Sequence, residues 1–108
     1  MAESWAHRRA KRRSAGPGGR VEVRLPSGSR LDALSRDGVW ATEVETSGDF
    51  VRLMRAAERL AESGAPQKVL KVPHRHMRIA AAALQRAGVS ARVRNMHDTC
   101  GFAVRVPG

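Results

Sequence analysis

The 108-residue sequence has a single cysteine, Cys100, and no apolar run longer than the six residues Ile79 to Leu84. One thiol cannot build a disulfide framework, or a zinc site without outside partners. Six apolar residues cannot cross a bilayer. Acids are also scarce: ten Asp and Glu stand against twenty Lys and Arg, a formal charge of +10. Met1 to Arg20 is polar and basic and lacks the apolar stretch of a secretory signal. The expectation is a cytoplasmic protein with no membrane partner. Lysine is rare, three residues against seventeen arginines. With abundant alanine, that bias points to a GC-rich bacterial or phage genome as much as to a selected surface. The hydrophobic fraction of 42% is ordinary for a globular chain, and the length is one domain's worth with a single small core.

The charge is uneven. Residues 1–20 hold six basic residues and one acid, a net +5, so a fifth of the chain carries half the charge. Arg8, Arg9, Lys11, Arg12 and Arg13 form the cluster. A polyanion is the natural partner, nucleic acid rather than membrane because the segment has little apolar surface. Such a protein would be nucleoid-associated. Residues 1–20 read as a basic arm or short helix plus Gly/Pro linker, and residues 21–108 as the folded domain.

Glu3 to Ser14 contains no Gly or Pro, with Ser4 as a cap and Ala2, Trp5, Ala6 and Ala10 along one helical face. Gly16-Pro17-Gly18-Gly19 ends it. It is not a phosphate loop, because no Lys-Ser/Thr follows. Val21 to Leu25 alternates as a half-buried strand, Leu31 to Leu34 and Val39 to Glu45 are two more, and Asp37-Gly38 between them is a hairpin signal. Asp49 caps a helix whose apolar face is Phe50, Leu53, Met54, Ala57, Leu60 and Ala61, stopped by Gly64 and Pro66. Lys68 to Val72 is a strand. A helix follows over about residues 75–87, with Met77, Ala80, Ala81 and Leu84 as its face. Ala91 to Arg94 and Phe102 to Val106 are short strands. The fold class is α/β, a small mixed β-sheet with flanking helices in the order α-β-β-β-α-β-α-β-β.

Most acids fall in helices or turns, but Asp32, Glu43 and Glu45 sit on the second and third strands. If the turn pairs Leu34 with Val39, Asp32 opposes Ala41. If Asp37-Gly38 is a two-residue turn, Asp32 lies directly opposite Glu43. The registers differ by two residues, so either places all three carboxylates on one face. Their Cβ atoms would be about 4.5–8 Å apart. Carboxylates at that range repel unless a cation lies between them, and Mg²⁺ is a usual answer.

The run Val21-Glu22-Val23-Arg24-Leu25-Pro26-Ser27-Gly28-Ser29-Arg30-Leu31-Asp32, followed by Ala41-Thr42-Glu43-Val44-Glu45, resembles the PD-(D/E)xK, or restriction-endonuclease-like, nuclease superfamily. The resemblance covers about residues 3–72 and implies a restriction-endonuclease-like core. It implies Asp32 and Glu43 as ligands of Mg²⁺ (or Mn²⁺), joined by the Val44 carbonyl, and an endonuclease acting on DNA phosphodiesters. Glu45 stands where most members carry a catalytic Lys. It would orient or deprotonate the attacking water, while Lys71 or Arg52 would supply the missing positive charge. The basic segment, with Arg30, Arg52, His74, Arg75 and His76, would contact the nucleic acid.

Two other readings stand beside a metal-dependent nuclease. The Glu at the Lys position equally suits a catalytically inactive nuclease-fold DNA-binding module. A phage or mobile-element interaction protein, its sheet edge pairing with a partner or with a second copy in a homodimer, is the third. Weaker signals are His74-Arg75-His76 as metal or phosphate ligands, and His97-Asp98-x-Cys100, which lacks a matching catalytic set. Trp5 is placed to stack on a base or dock on the domain.

Overall fold

A computed structural model describes residues 4–107. The chain forms a mixed α/β domain: α1 (Trp5–Ala15), β1 (Arg20–Arg24), β2 (Arg30–Leu34), β3 (Trp40–Val44), α2 (Phe50–Glu62), β4 (Gln67–Lys71), a 3₁₀ turn (His74–His76), α3 (Met77–Ala87), β5 (Ala91–Arg94) and β6 (Gly101–Val104). The six strands lie in one sheet in sequence order. β1, β2 and β3 are antiparallel neighbours, β3, β4 and β5 are parallel, and β6 returns antiparallel to β5. No helix among the described residues is long and apolar enough to cross a membrane.

Local chemistry accounts for most element ends. Ser4 Oγ accepts the His7 N–H at 3.1 Å and opens α1, and Asp49 Oδ1 accepts the Arg52 N–H at 3.0 Å and opens α2. Gly88, in the left-handed conformation at φ 73°, closes α3. Between β2 and β3 the strands are pinned by Ser35 N–H donating to the Trp40 carbonyl at 2.9 Å, with Asp37 Oδ1 accepting the Val39 N–H inside the loop. Pairing of Ala33 with Thr42 and of Leu34 with Ala41 sets the register in which Asp32 stands opposite Glu43.

The two parallel connections cross in the same direction, so right-handed crossovers put α2 and α3 on one face of the sheet. There Leu31, Leu53, Leu60, Leu70, Val72, Leu84 and Val93 form the main core, fully buried, with Ala56, Ala57, Ala80 and Ala83 keeping the helices close. On the other face α1 lies across β1, β2 and β3. A smaller set, Ala10, Ala15, Ala33, Val44 and Val69, is buried outside the main core.

The helical faces differ from the sequence expectation, in α3 only in that Ala83 is fully buried and Ala81 half-buried. In α1 the buried positions are Ala10, Lys11 and Ala15, while Trp5 is 66% exposed. Ala2 and Glu3 lie outside the described residues. In α2 the buried positions are Leu53, Ala56, Ala57 and Leu60, and Phe50 and Ala61 face solvent. Alanine is equally at home on either side of a helix, so alanine-rich periodicity leaves the face ambiguous by a residue. β1 is an edge strand, and only Val23 of it is even half-buried.

The linker from α1 to β1 is set by a close approach. A Cβ on Gly19 would lie 2.0 Å from the Ala15 carbonyl oxygen, so the chain leaves α1 through a space that admits no side chain. Gly19→Ala should therefore destabilise the protein by about 1–3 kcal/mol, read as a lower urea midpoint with unchanged slope.

Candidate functional site

β2 and β3 stay paired for only two positions beyond their turn. Each then remains bonded to its other neighbour, β2 to β1 as far as Arg30 and β3 to β4 as far as Val44, while the two strands part. Asp32 and Glu43 sit at the parting and bridge it with their side chains. Asp32 Oδ2 accepts the Val44 N–H at 2.7 Å, and Glu43 Oε2 accepts the Asp32 N–H at 2.7 Å.

Cations close on the pair from both faces of the sheet. Lys11 of α1, 5% exposed, places Nζ 3.3 Å from Asp32 Oδ1 and also pairs with Glu22. His7, one helical turn earlier, brings Nε2 to 3.8 Å from Asp32 Oδ2. From α2, Arg59 Nε donates to Glu43 Oε1 at 2.6 Å. Glu22 holds φ at 54°, unusual for a non-glycine, and this residue on β1 supplies the second carboxylate to Lys11.

The two carboxyls titrate in opposite directions. Burial raises Asp32, but hydrogen bonds from His7 and the Val44 amide, with the charge of Lys11, outweigh it and hold the group below its ordinary value. For Glu43, 1% exposed, burial dominates and the Asp32 charge adds to it. Arg59 opposes both, and the carboxyl is still pushed up to about 8.

The remaining expected site residues lie elsewhere. Glu45 falls just past the end of β3, where strand alternation no longer fixes its direction. Its carboxylate accepts the Ser47 N–H at 2.8 Å and closes the turn toward α2, and among the described residues it does not join Asp32 and Glu43 in a group of three placed to hold a metal ion. Lys71 is opposite Val44 in the β3–β4 register, and Glu43 is opposite Leu70, so Lys71 and Glu43 point to opposite faces. Lys71 is 3% exposed and bonds Ser14 Oγ at 2.9 Å and Asp98 Oδ2 at 3.0 Å. Arg52 is exposed in the first turn of α2, and the cation that reaches Glu43 is Arg59, two turns on. Lys11, expected on phosphates, is buried on acids.

Arg8, Arg9, Arg12, Arg13, Arg30, His74 and Arg75 are exposed. Arg9 lies over the Trp5 ring at 5.0 Å, and Arg12 Nη1 donates to the Gly19 carbonyl at 3.1 Å. His76 is half-buried, its Nε2 against Gly48, with Nδ1 lacking a hydrogen-bond partner. Cys100 is exposed and free, and Asp98 is engaged with Lys71, so neither joins a His97-based set.

Every oxygen of Asp32 and Glu43 thus faces a donor of the chain itself. Mg²⁺, which needs oxygens at about 2.0–2.1 Å, would have to displace Lys11, Arg59 or a backbone amide. Among the described residues no group of three His, Cys, Asp or Glu side chains is placed to hold a metal ion. As folded, the donor set does not fit Mg²⁺ or Mn²⁺. Comparison of the chain with protein-family models, curated proteins and solved structures finds no match.

The raised Glu43 carboxyl has a stability consequence. Its folded value, about 8, exceeds the ordinary 4.5, so between these limits the folded state holds a proton that the unfolded chain has released. Stability from this group is therefore fully present below pH 4.5 and is lost as pH rises toward 8. The slope reaches at most about 1.4 kcal/mol per pH unit. Urea unfolding across that window should show the decline, and Glu43→Gln should flatten it.

Proposed function

We propose that the protein is a nucleic-acid-binding module on a nuclease-like α/β core, with an internal ion-pair cluster at the position where the resemblance implies a metal ion. The order α-β-β-β-α-β over residues 5–71 supports the likeness to the restriction-endonuclease-like core. One observation carries the binding function: the cations are partitioned. Lys11 and Lys71 are buried on acids, and the half-buried Lys68 donates to the Ala65 carbonyl. In contrast, no exposed arginine among the described residues is in an ion pair. Unpaired guanidiniums in quantity suit phosphate, which they grip with two parallel hydrogen bonds. DNA is the partner that this reading favours, bound through its backbone.

A second reading, hydrolysis of phosphodiesters with Mg²⁺ or Mn²⁺, is favoured by the opposition of Asp32 and Glu43 where β2 and β3 part. It requires Lys11 or Arg59 to yield a carboxylate oxygen.

Titration of duplex DNA at several salt concentrations tests the first reading. Binding should weaken linearly in log–log form. Replacing Arg8, Arg9, Arg12 and Arg13 together with Ala should reduce that slope by up to about 3.6, at about 0.9 for each phosphate no longer neutralised. Lys11→Met should leave the slope unchanged. Binding insensitive to salt would refute the reading. Plasmid cleavage that needs Mg²⁺ or Mn²⁺ and disappears in Asp32→Ala would establish the second in its place.

A further inference from the structure

At the other end of β3, away from the carboxylates, the sheet is open on the face that α1 covers. α1 lies mainly over β1 to β3 and touches β4 through the Ser14–Lys71 bond at its C-terminal end, leaving most of that face of β4 and β5 without a helix among the described residues. Trp40, the first residue of β3, stands at the border and is 39% exposed. Two open depressions meet at it. One, of about 320 Å³, runs over Thr42 and Val69 to Lys71, Arg94 and Asp98. The other, of about 600 Å³, runs past Gly16 and Pro17 to Arg36 and Asp37. Together they form a groove with an indole at its middle.

The charges along the groove are unequal. Asp98 is neutralised by Lys71 beneath it. Asp37 is engaged in its own turn, by the Ser35 hydroxyl and the Val39 amide. Among the described residues Arg36, whose side chain lies over Gly18, has no ion pair, nor has Arg94 or Arg92 two residues before it on the same side of β5. An aromatic face with unpaired guanidiniums on either side matches the spacing of chemistry in a single strand of nucleic acid, where unstacked bases alternate with phosphates. A duplex keeps its bases stacked on one another and offers the indole nothing to cover.

We propose that this groove binds single-stranded nucleic acid, one base stacking on Trp40 while the flanking phosphates meet Arg36 on one side and Arg94 and Arg92 on the other. The inference rests on the nucleic-acid-binding reading above and adds to it a preference and a place.

The test uses the full chain carrying Trp5→Phe, so that Trp40 is the sole indole fluorophore. Oligothymidylate and oligouridylate of about twelve nucleotides, and a DNA duplex of equal length, are titrated separately. Either single strand should quench the indole, the tighter of the two giving the preferred sugar, and the duplex should not. Trp40→Ala should weaken single-strand binding at least about fivefold and leave duplex affinity unchanged, while Trp40→Phe keeps most of the affinity. Arg94→Ala should lower the single-strand salt slope by about 0.7, the share of one phosphate. If Trp40→Ala and Trp40→Phe both leave single-strand affinity intact while the duplex still binds, the groove is not the site and the binding function stands. If neither single strand nor duplex binds, both readings fall together.

Discussion

A sheet that parts between two of its strands leaves backbone amides facing a gap, and here the amides of Asp32 and Val44 are taken by carboxylates. That substitution organises the layers around it. Asp32 draws Lys11 and His7, and with them α1, onto one face. Glu43 draws Arg59, and with it α2, from the other. The two acids also bond through each other's strand, so the helical layers are joined across the sheet by a chain of charge-assisted hydrogen bonds. Such bonds are stronger than neutral ones and lose little to solvent when buried. The apolar core on the α2 and α3 face would hold those helices without this link. α1, with mainly alanines buried beneath it, depends on the link far more.

Charge has two separate uses in this molecule. Lysine, a compact ammonium that serves several acceptors at once, is drawn inward where acids and a carbonyl need a partner. Arginine, a planar fork that recognises phosphate, is mostly left outside, Arg59 on Glu43 being an exception. A +10 net charge repels itself and gains nothing for the folded state. Leaving so many arginines unpaired makes sense when an external anion completes the surface.

How much of this was legible in the sequence depends on the range of the interaction. Ser4 and Asp49 as caps and Asp37-Gly38 as a turn act over a few residues, and each stands where local chemistry puts it. The opposition of Asp32 and Glu43 was one of the two registers that strand arithmetic allowed over the hairpin, and the pairing of Ala33 with Thr42 selects it. The partners of those acids lay outside that arithmetic, because Lys11 and Arg59 arrive from helices on different faces. Which side of α1 faces the sheet is set by packing, and alanines at positions 6, 10 and 15 do not distinguish the sides. Glu45 lies just past the end of β3, where its carboxylate serves the local turn through the Ser47 amide, a bond that strand alternation does not announce.

The bonds from Lys11 and Arg59 also bear on how this chain can change. Losing one member of a buried ion pair strands its partner and costs about 3–5 kcal/mol, a large part of what a domain of this size has in reserve. Lineages that tried to free either carboxylate by a single substitution would pass through a weakened fold. Neighbouring sequences in which Asp32 or Glu43 is replaced should therefore change Lys11 or Arg59 as well. The cluster behaves as an interlock: with two cations settled on the acids, opening either carboxylate needs coordinated steps rather than one.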